Sequence, residues 1–177
     1  VNDCIFVFDE AHHFSQKALA HFSINASTEF MKTTIRQSQS SIDQILKITK
    51  QKTSESYIKK ADEAIGELIE VITNFEYSDD VYLFDMSGVS SDVTNLGKNL
   101  LTIFNTAFGN FLDQKDNWQD YCKRNTVQQT TMDNLNNIIG QNEQNLLSIV
   151  SLLNAFTKNT HTDTPPTSNW IVKSKLS

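Results

Sequence analysis

The chain has 177 residues, a formal net charge of -6, a hydrophobic fraction of 38% and a charged fraction of 20%. This size suits one domain, or one domain with part of another, and the hydrophobic fraction is sufficient for a core. The negative charge argues against a protein that coats duplex DNA, but it leaves room for a local nucleic-acid contact. Only 5 glycines and 2 prolines are present, so long helices are favoured over a sandwich or a barrel.

The cysteine count and the hydropathy pattern limit the cellular compartments in which we expect the chain. Cys4 and Cys122 are too few for a disulfide framework, or for a metal site by count alone. Two free thiols fit a reducing, cytoplasmic compartment. No apolar run of about 18 residues occurs, which predicts that the chain has no transmembrane helix and no membrane partner.

A continuous apolar segment, CIFVF, occupies residues 4–8. Its β-branched and aromatic residues predict a strand that is buried on both faces of a parallel sheet. A single strand is unstable alone, so we expect the other strands of the sheet to come from sequence upstream. The polarity changes at once in residues 9–12, and helical spacing follows over residues 14–26.

Apolar side chains at steps of three and four predict two helices in the next part of the chain. The first spans about Thr28–Lys52, and Ser38 interrupts its apolar stripe. The second follows two capping candidates, Ser54 and Ser56, and carries its apolar residues on one face. These residues are Ile58, Ala61, Ile65, Leu68, Ile72 and Phe75.

Residues 76–91 are too apolar for a solvated loop, and we predict an ordered connection that packs on the helices. A third helix is predicted after a cap at Ser90 or Ser91, followed by a linker of mixed charge over residues 113–125. The core positions predicted for this helix are Val93, Leu96, Leu100, Ile103, Ala107 and Phe111, with Phe104 and Phe108 widening the stripe.

The last predicted helix, at about Val127–Thr157, has a nearly unbroken heptad-like seam. The seam consists of Met132, Leu135, Ile139, Asn142, Leu146, Ile149, Leu153 and Phe156. Asn142 either fixes the register from a buried position or lies at the edge of the seam in contact with water. Pro165 and Pro166 cannot continue a helix, and the apolar residues 170–172 that follow predict a returning strand or extended segment.

The acidic pair after the first strand has a specific chemical use. A parallel strand delivers its C-terminal residues to the crevice where ligands bind. Asp9 can there hold Mg²⁺ through water, because Mg²⁺ prefers hard oxygen ligands and keeps several waters. Glu10 is then placed to orient or deprotonate the water that attacks a γ-phosphate. Adjacent carboxylates also cap helices, but the apolar strand before them and Ala11-His12 after them favour an ATPase site.

Residues 6–14, FVFDEAHHF, resemble the second helicase motif of superfamily-two DNA helicases of the DinG/XPD group. Residues 164–170, TPPTSNW, resemble the segment by which DinG-type chains re-enter the first motor domain, and residues 84–88 are a weaker match. The resemblance implies a mainly α fold. An antiparallel helical bundle, the Arch domain, would occupy residues 27–160. Residues 1–26 and 161–177 would be remnants of the motor domain, each with a short strand.

The resemblance also implies a function for the full-length parent, an ATP-dependent DNA helicase of the bacterial cytoplasm and nucleoid. Asp9 would serve Mg-ATP, Glu10 would activate water, and His12 would couple the nucleotide state to the motor. Single-stranded DNA would pass between the Arch and an iron–sulfur domain, so DNA, that domain and the rest of the motor would be the partners. The segment itself is expected to be monomeric.

The chain departs from the family pattern at two places. It has no phosphate-binding loop of the type G-x-x-x-x-G-K-[ST], so we expect no ATPase activity from this segment alone. The four cluster cysteines of the family lie upstream of the DEAH motif, and Cys4 and Cys122 match none of them. We therefore expect the iron–sulfur cluster upstream and not in this segment.

Two groups of residues are candidates for contact with DNA. Trp118, Tyr121, Lys123 and Arg124 combine aromatic faces with positive charge, which suits single strands. The second group flanks the connection between the first two predicted helices and consists of Lys47, Lys50, Lys52, Lys59 and Lys60. The simpler interpretation, which we favour, is that the lysines solvate the bundle and Trp118 packs inside it.

Two other functions remain open at this point. Long apolar seams and the missing phosphate loop also fit a non-enzymatic helical interaction module, which would assemble into oligomers through those seams. A DinG-like nuclease-associated ATPase, in which an attached domain performs the chemistry, is a further alternative. The first alternative predicts a stable oligomer and the helicase interpretation predicts a monomer.

Overall fold

The computed structural model describes residues 26–74, 81–83, 91–157 and 170–172. In chain order these residues form α1 (Thr28–Thr49), α2 (Ile58–Thr73), β1 (Val81–Leu83), α3 (Ser91–Arg124), α4 (Gln129–Thr157) and β2 (Trp170–Val172). The four helices pack on one another as a bundle, which confirms the predicted mainly helical fold. The strand predicted at residues 4–8 and the helix predicted at residues 14–26 lie outside the described residues.

All four helices contribute to a single hydrophobic core. Its completely buried members are Ile45, Ala61, Ile65, Leu100, Phe104, Leu146 and Ile149. Burial of a leucine, isoleucine or phenylalanine side chain stabilises the fold by roughly 1.5–3 kcal/mol relative to its exposure. Among the described residues, no helix is both long enough and apolar enough to cross a membrane.

Helix α1 begins at a side-chain cap and ends at a left-handed residue. The hydroxyl oxygen of Ser27 accepts a hydrogen bond from the backbone N–H of Phe30 at 3.0 Å. At the other end, Lys50 has a φ of 57°, and its backbone N–H donates to the carbonyl of Leu46. This conformation turns the chain out of the helix, so α1 ends three residues before the predicted end. The interrupting Ser38 is buried, and its hydroxyl donates to a carbonyl one turn earlier in the helix.

Helix α2 lacks the predicted serine cap. Its N-cap residue is Tyr57, which makes no side-chain hydrogen bond to the first turn. The prediction of a cap at Ser54 or Ser56 is therefore wrong. Ser54 instead exchanges hydrogen bonds with Asn110 of α3, at 2.8 and 3.1 Å. Its hydroxyl has a tertiary partner, and the connection before α2 is fixed to the middle of α3.

Helix α3 continues without interruption to Arg124, so the linker predicted over residues 113–125 is wrong. Residues 113–124 contain neither glycine nor proline, and Phe104, Phe111 and Trp118 repeat every seven residues on the buried face. The phase of the buried face also differs from the predicted seam, since Gly97 is buried where Leu96 was expected, and Phe104, which was predicted to widen the stripe, is more deeply buried than Ile103. The complete buried set is Val93, Gly97, Leu100, Phe104, Ala107, Phe111 and Trp118.

Helices α3 and α4 form a hairpin around residues 125–128. Early residues of α3 meet late residues of α4: a Cβ built on Gly97 would lie 3.1 Å from the ring of Phe156. Farther along α3, the ammonium group of Lys115 contacts the carboxylate of Glu143 at 2.7 Å. Near the turn, Trp118 reaches Asn136. The two helices approach closely at Gly97, and a side chain there would require the phenyl ring to shift by a few tenths of an ångström.

The predicted seam of α4 is confirmed from Leu135 to Leu153, and its polar member is buried. Asn142 is 3% exposed, and its amide nitrogen donates to the hydroxyl of Ser41 at 2.8 Å and to the carbonyl of Gln37 at 3.3 Å. Burial excludes the alternative in which this residue lies in water. The hydrogen bonds favour one alignment of α4 against α1, because another alignment would leave a buried amide without partners.

The two short strands pair antiparallel, with Val81 opposite Val172 and Leu83 opposite Trp170. The prediction of an extended segment at residues 170–172 is thus confirmed as β2. Its partner, β1, lies in the segment 76–91, for which we predicted an ordered connection packed on the helices, and residues 76–80 and 84–90 of that segment lie outside the described residues. The pair joins that segment to the chain that follows α4.

Candidate nucleic-acid interface

The predicted ATPase residues Asp9, Glu10 and His12 lie outside the described residues. The described part of the chain bears on the second predicted site, the contact with DNA. Within this part, no group of three or more His, Cys, Asp and Glu side chains could hold a metal ion. Two regions carry the candidate DNA contacts. We call residues 47–60 the basic corner and residues 113–128 the hairpin corner.

Trp118 of the hairpin corner belongs to the core. Its side chain is 1% exposed, and the indole N–H donates to the side-chain oxygen of Asn136 at 2.9 Å. The ring of Tyr121 stacks on the indole with a centroid separation of 6.2 Å and an angle of 16° between the planes. The indole therefore offers no free face to a nucleotide base, and the interpretation in which it packs is the one that the structure supports.

The two cations of the hairpin corner share one carboxylate. The ammonium group of Lys123 lies 3.0 Å from one oxygen of Asp120, and the guanidinium of Arg124 lies 4.0 Å from the other. The hydrogen bond from Lys123 and its positive charge lower the pKa of Asp120 below its ordinary value. Residues 113–128 contain three acidic and three basic residues, so their net charge is zero. The predicted DNA-binding role of Tyr121, Lys123 and Arg124 stays a prediction, without Trp118 as a stacking partner.

The basic corner has a different charge balance. Residues 47–60 hold five lysines and one glutamate, which gives a net charge of +4 in a chain whose total is -6. Lys47, Lys50 and Lys52 are exposed. Among the described residues, none of these three ammonium groups lies within ion-pairing distance of a carboxylate. Three uncompensated cations therefore lie within six residues at the end of α1.

The remaining lysines of the basic corner are paired. The ammonium group of Lys60 contacts Glu55 at 2.7 Å and lies 5.4 Å from the centre of the Tyr57 ring. The hydroxyl of Tyr57 donates to the same carboxylate at 3.1 Å. These hydrogen bonds lower the pKa of Glu55, and the bond to Glu55 raises the pKa of Lys60. Lys59 pairs more loosely with Glu63, at 3.7 Å.

Ser54 and Asn110 hold the connection between α1 and α2 against α3, and Lys50 is fixed by its backbone bond to α1. The three unpaired lysines are thus attached to an ordered backbone. Ammonium groups on such a support can neutralise phosphates, and they read no base sequence. The basic corner is accordingly the better anion-binding surface of the two.

The distinction between the corners was available in the charge pattern. Trp118, Tyr121, Lys123 and Arg124 are candidates because they combine aromatic faces with positive charge. Counting the acidic residues as well would have favoured residues 47–60, since residues 113–128 are neutral. The sequence already favoured the interpretation in which Trp118 packs inside the bundle, and its burial in the structure agrees with it.

Comparison of the chain with protein-family models, with curated proteins and with solved structures finds no match. The resemblance to the DinG/XPD group therefore depends on the sequence motifs alone. The described geometry shows a helical bundle with one basic corner and one neutral corner.

Proposed function

We propose that this chain is a segment of an ATP-dependent DNA helicase similar to the DinG/XPD group. The observation that carries the proposal is the apolar segment that leads directly into Asp9-Glu10-Ala11-His12. An apolar strand followed by two carboxylates is the arrangement that a Mg-ATP site requires at the end of a parallel sheet. The proposed setting is the bacterial cytoplasm and nucleoid, with single-stranded DNA as the partner.

The helical bundle supports the second part of the proposal, in which residues 27–160 are an Arch domain inserted into the motor. Helices extend from Thr28 to Thr157, between the motif and the returning strand β2. An insertion must begin and end at the same sheet, and four helices in antiparallel, up-and-down order meet this requirement. In this proposal residues 1–26 and 161–177 belong to the motor domain, and β2 of the second segment pairs with β1 of the insertion.

The chemistry of the donor set fits Mg²⁺, because Asp9 offers the hard carboxylate oxygen that this ion prefers. When bound, Mg²⁺ neutralises charge on the β- and γ-phosphates of ATP. Asp9 would hold the ion, Glu10 would accept a proton from the attacking water, and His12 would link the site to the motor. The phosphate-binding loop must come from another part of the protein, since this chain has none.

An iron–sulfur cluster does not fit this chain. Such a cluster is generally held by four cysteine thiolates, and the sequence contains two cysteines. Cys122 is half-buried in α3, and burial raises the pKa of its thiol, which disfavours the thiolate that a metal needs. In the proposed helicase the cluster would belong to the upstream domain.

The test of the catalytic assignment is Glu10→Gln in the full-length helicase. The amide keeps the shape of the side chain and removes the base, so DNA-stimulated ATP hydrolysis should fall by about 10²–10⁴-fold. Binding of a labelled ATP analogue should persist. His13→Gln is the matched control, because His13 is adjacent to the motif and has no assigned role. Undiminished hydrolysis in Glu10→Gln would reject the assignment.

The main rival is a non-enzymatic interaction module that assembles through its long seams. The α4 residues Leu135, Ile139, Leu146, Ile149 and Leu153 are already buried within the single chain. This arrangement favours a monomeric bundle over the rival, because little apolar surface of the seam is left for a partner. Sedimentation of the chain distinguishes them: the helicase proposal predicts a monomer, and a stable oligomer would support the module.

A further inference from the structure

We propose that the basic corner, residues 47–60, binds the phosphate backbone of single-stranded DNA through Lys47, Lys50 and Lys52. The choice of DNA as the polyanion depends on the proposed helicase function, whereas the site itself follows from charge and exposure. The hairpin corner, with its buried indole and balanced charges, is not the principal contact in this proposal.

Charge is the first argument. A net charge of +4 within 14 residues contrasts with the total of -6, so the rest of the chain is strongly acidic. Binding of a nucleic acid is driven largely by release of counterions when cations neutralise phosphates. Only a surface with unpaired cations gains this release in full, because an ion-paired lysine must first give up its carboxylate. Within the part of the chain that the structure describes, Lys47, Lys50 and Lys52 meet this condition.

A contribution to the stability of the bundle explains only in part why lysine occupies these three positions. Lys47 lies in the last turn of α1, where a cation interacts favourably with the helix dipole. Lys52 lies beyond the helix end and has no such benefit. Lys50 occupies a left-handed position that glycine or asparagine would adopt with less strain. A lysine at a position that disfavours it is consistent with a role for its ammonium group.

The shape of the patch favours a single strand over a duplex. Three cations within six residues form a small target, and a flexible strand can bend toward it. A duplex is a stiff rod at this scale, so it would extend from the patch over the acidic remainder of the surface. The only ring in residues 47–60, that of Tyr57, is already engaged by Lys60 and Glu55. Binding should therefore be steeply salt-dependent and insensitive to base sequence.

The experiment measures the fluorescence anisotropy of labelled oligothymidylate titrated with the 177-residue chain at several salt concentrations. The test variant is Lys47→Gln/Lys50→Gln/Lys52→Gln. Loss of three phosphate contacts should weaken binding at low salt by about tenfold or more and reduce the slope of log K against log salt by about 2. All three side chains are exposed, and far-UV circular dichroism verifies that the variant is folded.

The matched control is Lys32→Gln/Arg36→Gln/Lys98→Gln, which removes the same charge from positions outside both corners. Its affinity should remain within about threefold of the parent chain, since only the long-range field changes. Labelled oligodeoxyadenylate should bind the parent chain about as tightly as oligothymidylate. These results together would support the proposal.

Several results would overturn it: no binding by the parent chain at low salt, equal losses in the test and control variants, or tighter binding to duplex than to single strands. Failure here is distinguishable from failure of the helicase assignment. An inactive Glu10→Gln enzyme with an unaffected triple-lysine variant rejects only the DNA contact. A fully active Glu10→Gln enzyme with a weakened triple-lysine variant rejects only the ATPase.

Discussion

The two helix-to-helix corners of the bundle have similar residue types and different partners. Both contain basic residues and an aromatic ring, and both connect neighbouring helices. In the hairpin corner, Asp120 pairs with two cations and Trp118 is buried against α4. In the basic corner, Lys47, Lys50 and Lys52 face solvent without a carboxylate partner in the described part of the chain. Nearby carboxylates and the facing helix therefore determine whether a cluster of basic and aromatic side chains stabilises the fold or remains available to a ligand.

The difference has an energetic basis. A buried aromatic side chain with a satisfied indole N–H stabilises the fold, whereas an exposed lysine contributes little. Mutations should therefore distinguish the two corners. Substitutions in the hairpin corner should change the stability of the chain, and substitutions in the basic corner should change its affinity for DNA. Three substitutions examine this separation, from the largest expected effect to the smallest.

Trp118→Ala should destabilise the chain by about 3–5 kcal/mol, because it removes a large buried ring and leaves Asn136 without its indole donor. Urea denaturation followed by circular dichroism measures this change. Lys52→Ala at the basic corner is the contrasting control, with an expected change of less than about 0.5 kcal/mol. If both variants lost similar stability, the assignment of a structural role to one corner alone would be wrong.

Lys50→Gly should change stability and DNA binding in opposite directions within the basic corner. Glycine adopts the left-handed conformation of residue 50 without strain, so the chain should become about 0.5–1 kcal/mol more stable. The slope of log K against log salt for oligothymidylate should decrease by about 0.7, because one phosphate contact is lost. Thermal unfolding and anisotropy measure the two effects.

Gln51→Gly is the control for Lys50→Gly, since Gln51 is exposed, adjacent and without a positive φ. It should lower stability slightly through the larger entropy of the unfolded chain and leave DNA affinity unchanged. A loss of stability in Lys50→Gly would show that the lysine side chain itself supports the fold, contrary to the role assigned to it.

Asp120→Asn should have the smallest effect, a minor loss of stability that depends on pH. The pKa of Asp120 is lowered by Lys123 in the folded chain, so its contribution is present above the ordinary carboxyl pKa. It is lost as the pH falls through the lowered pKa. Denaturation curves of parent and variant should thus differ near neutral pH and converge in acid. A difference that persists in acid would contradict the ion-pair explanation.

Asp120→Asn also tests whether the hairpin corner is inert because its cations are paired. The substitution frees Lys123 and Arg124 and gives residues 113–128 a net charge of +1. Affinity for oligothymidylate should rise slightly and remain dependent on Lys47, Lys50 and Lys52. If the variant bound oligothymidylate more tightly and its affinity no longer depended on these three lysines, the principal DNA contact would be assigned to the hairpin corner.

Much of the fold was predictable, because helix seams are local patterns. The α4 seam was predicted almost residue for residue, since apolar side chains three and four apart share a face whatever the rest of the chain does. The end of α1 was missed by three residues because no glycine marks the left-handed Lys50. The extension of α3 was missed because the charged residues 113–120 resemble a linker, although Trp118 continues the heptad.

For the candidate sites, the sequence indicated which residue types could bind a ligand. Only the structure showed which of these side chains are exposed and unpaired among the described residues. Asp9, Glu10 and His12 stay a prediction from the motif and its resemblance. The DNA-binding group was selected for its composition, but the burial of Trp118 and the pairing of Lys123 depend on α4 and on one carboxylate. Such contacts involve orientation in space, which residue spacing does not specify.

The sequence by itself determined that this chain is mainly helical, that its helices have apolar seams, and that residues 47–60 carry a positive charge. Tertiary structure decided that Asn142 is buried against α1, that Trp118 belongs to the core, and that three lysines have no carboxylate partner among the described residues. The physical reason is that periodicity and charge are properties of neighbours along the chain. Burial and pairing are properties of neighbours in space.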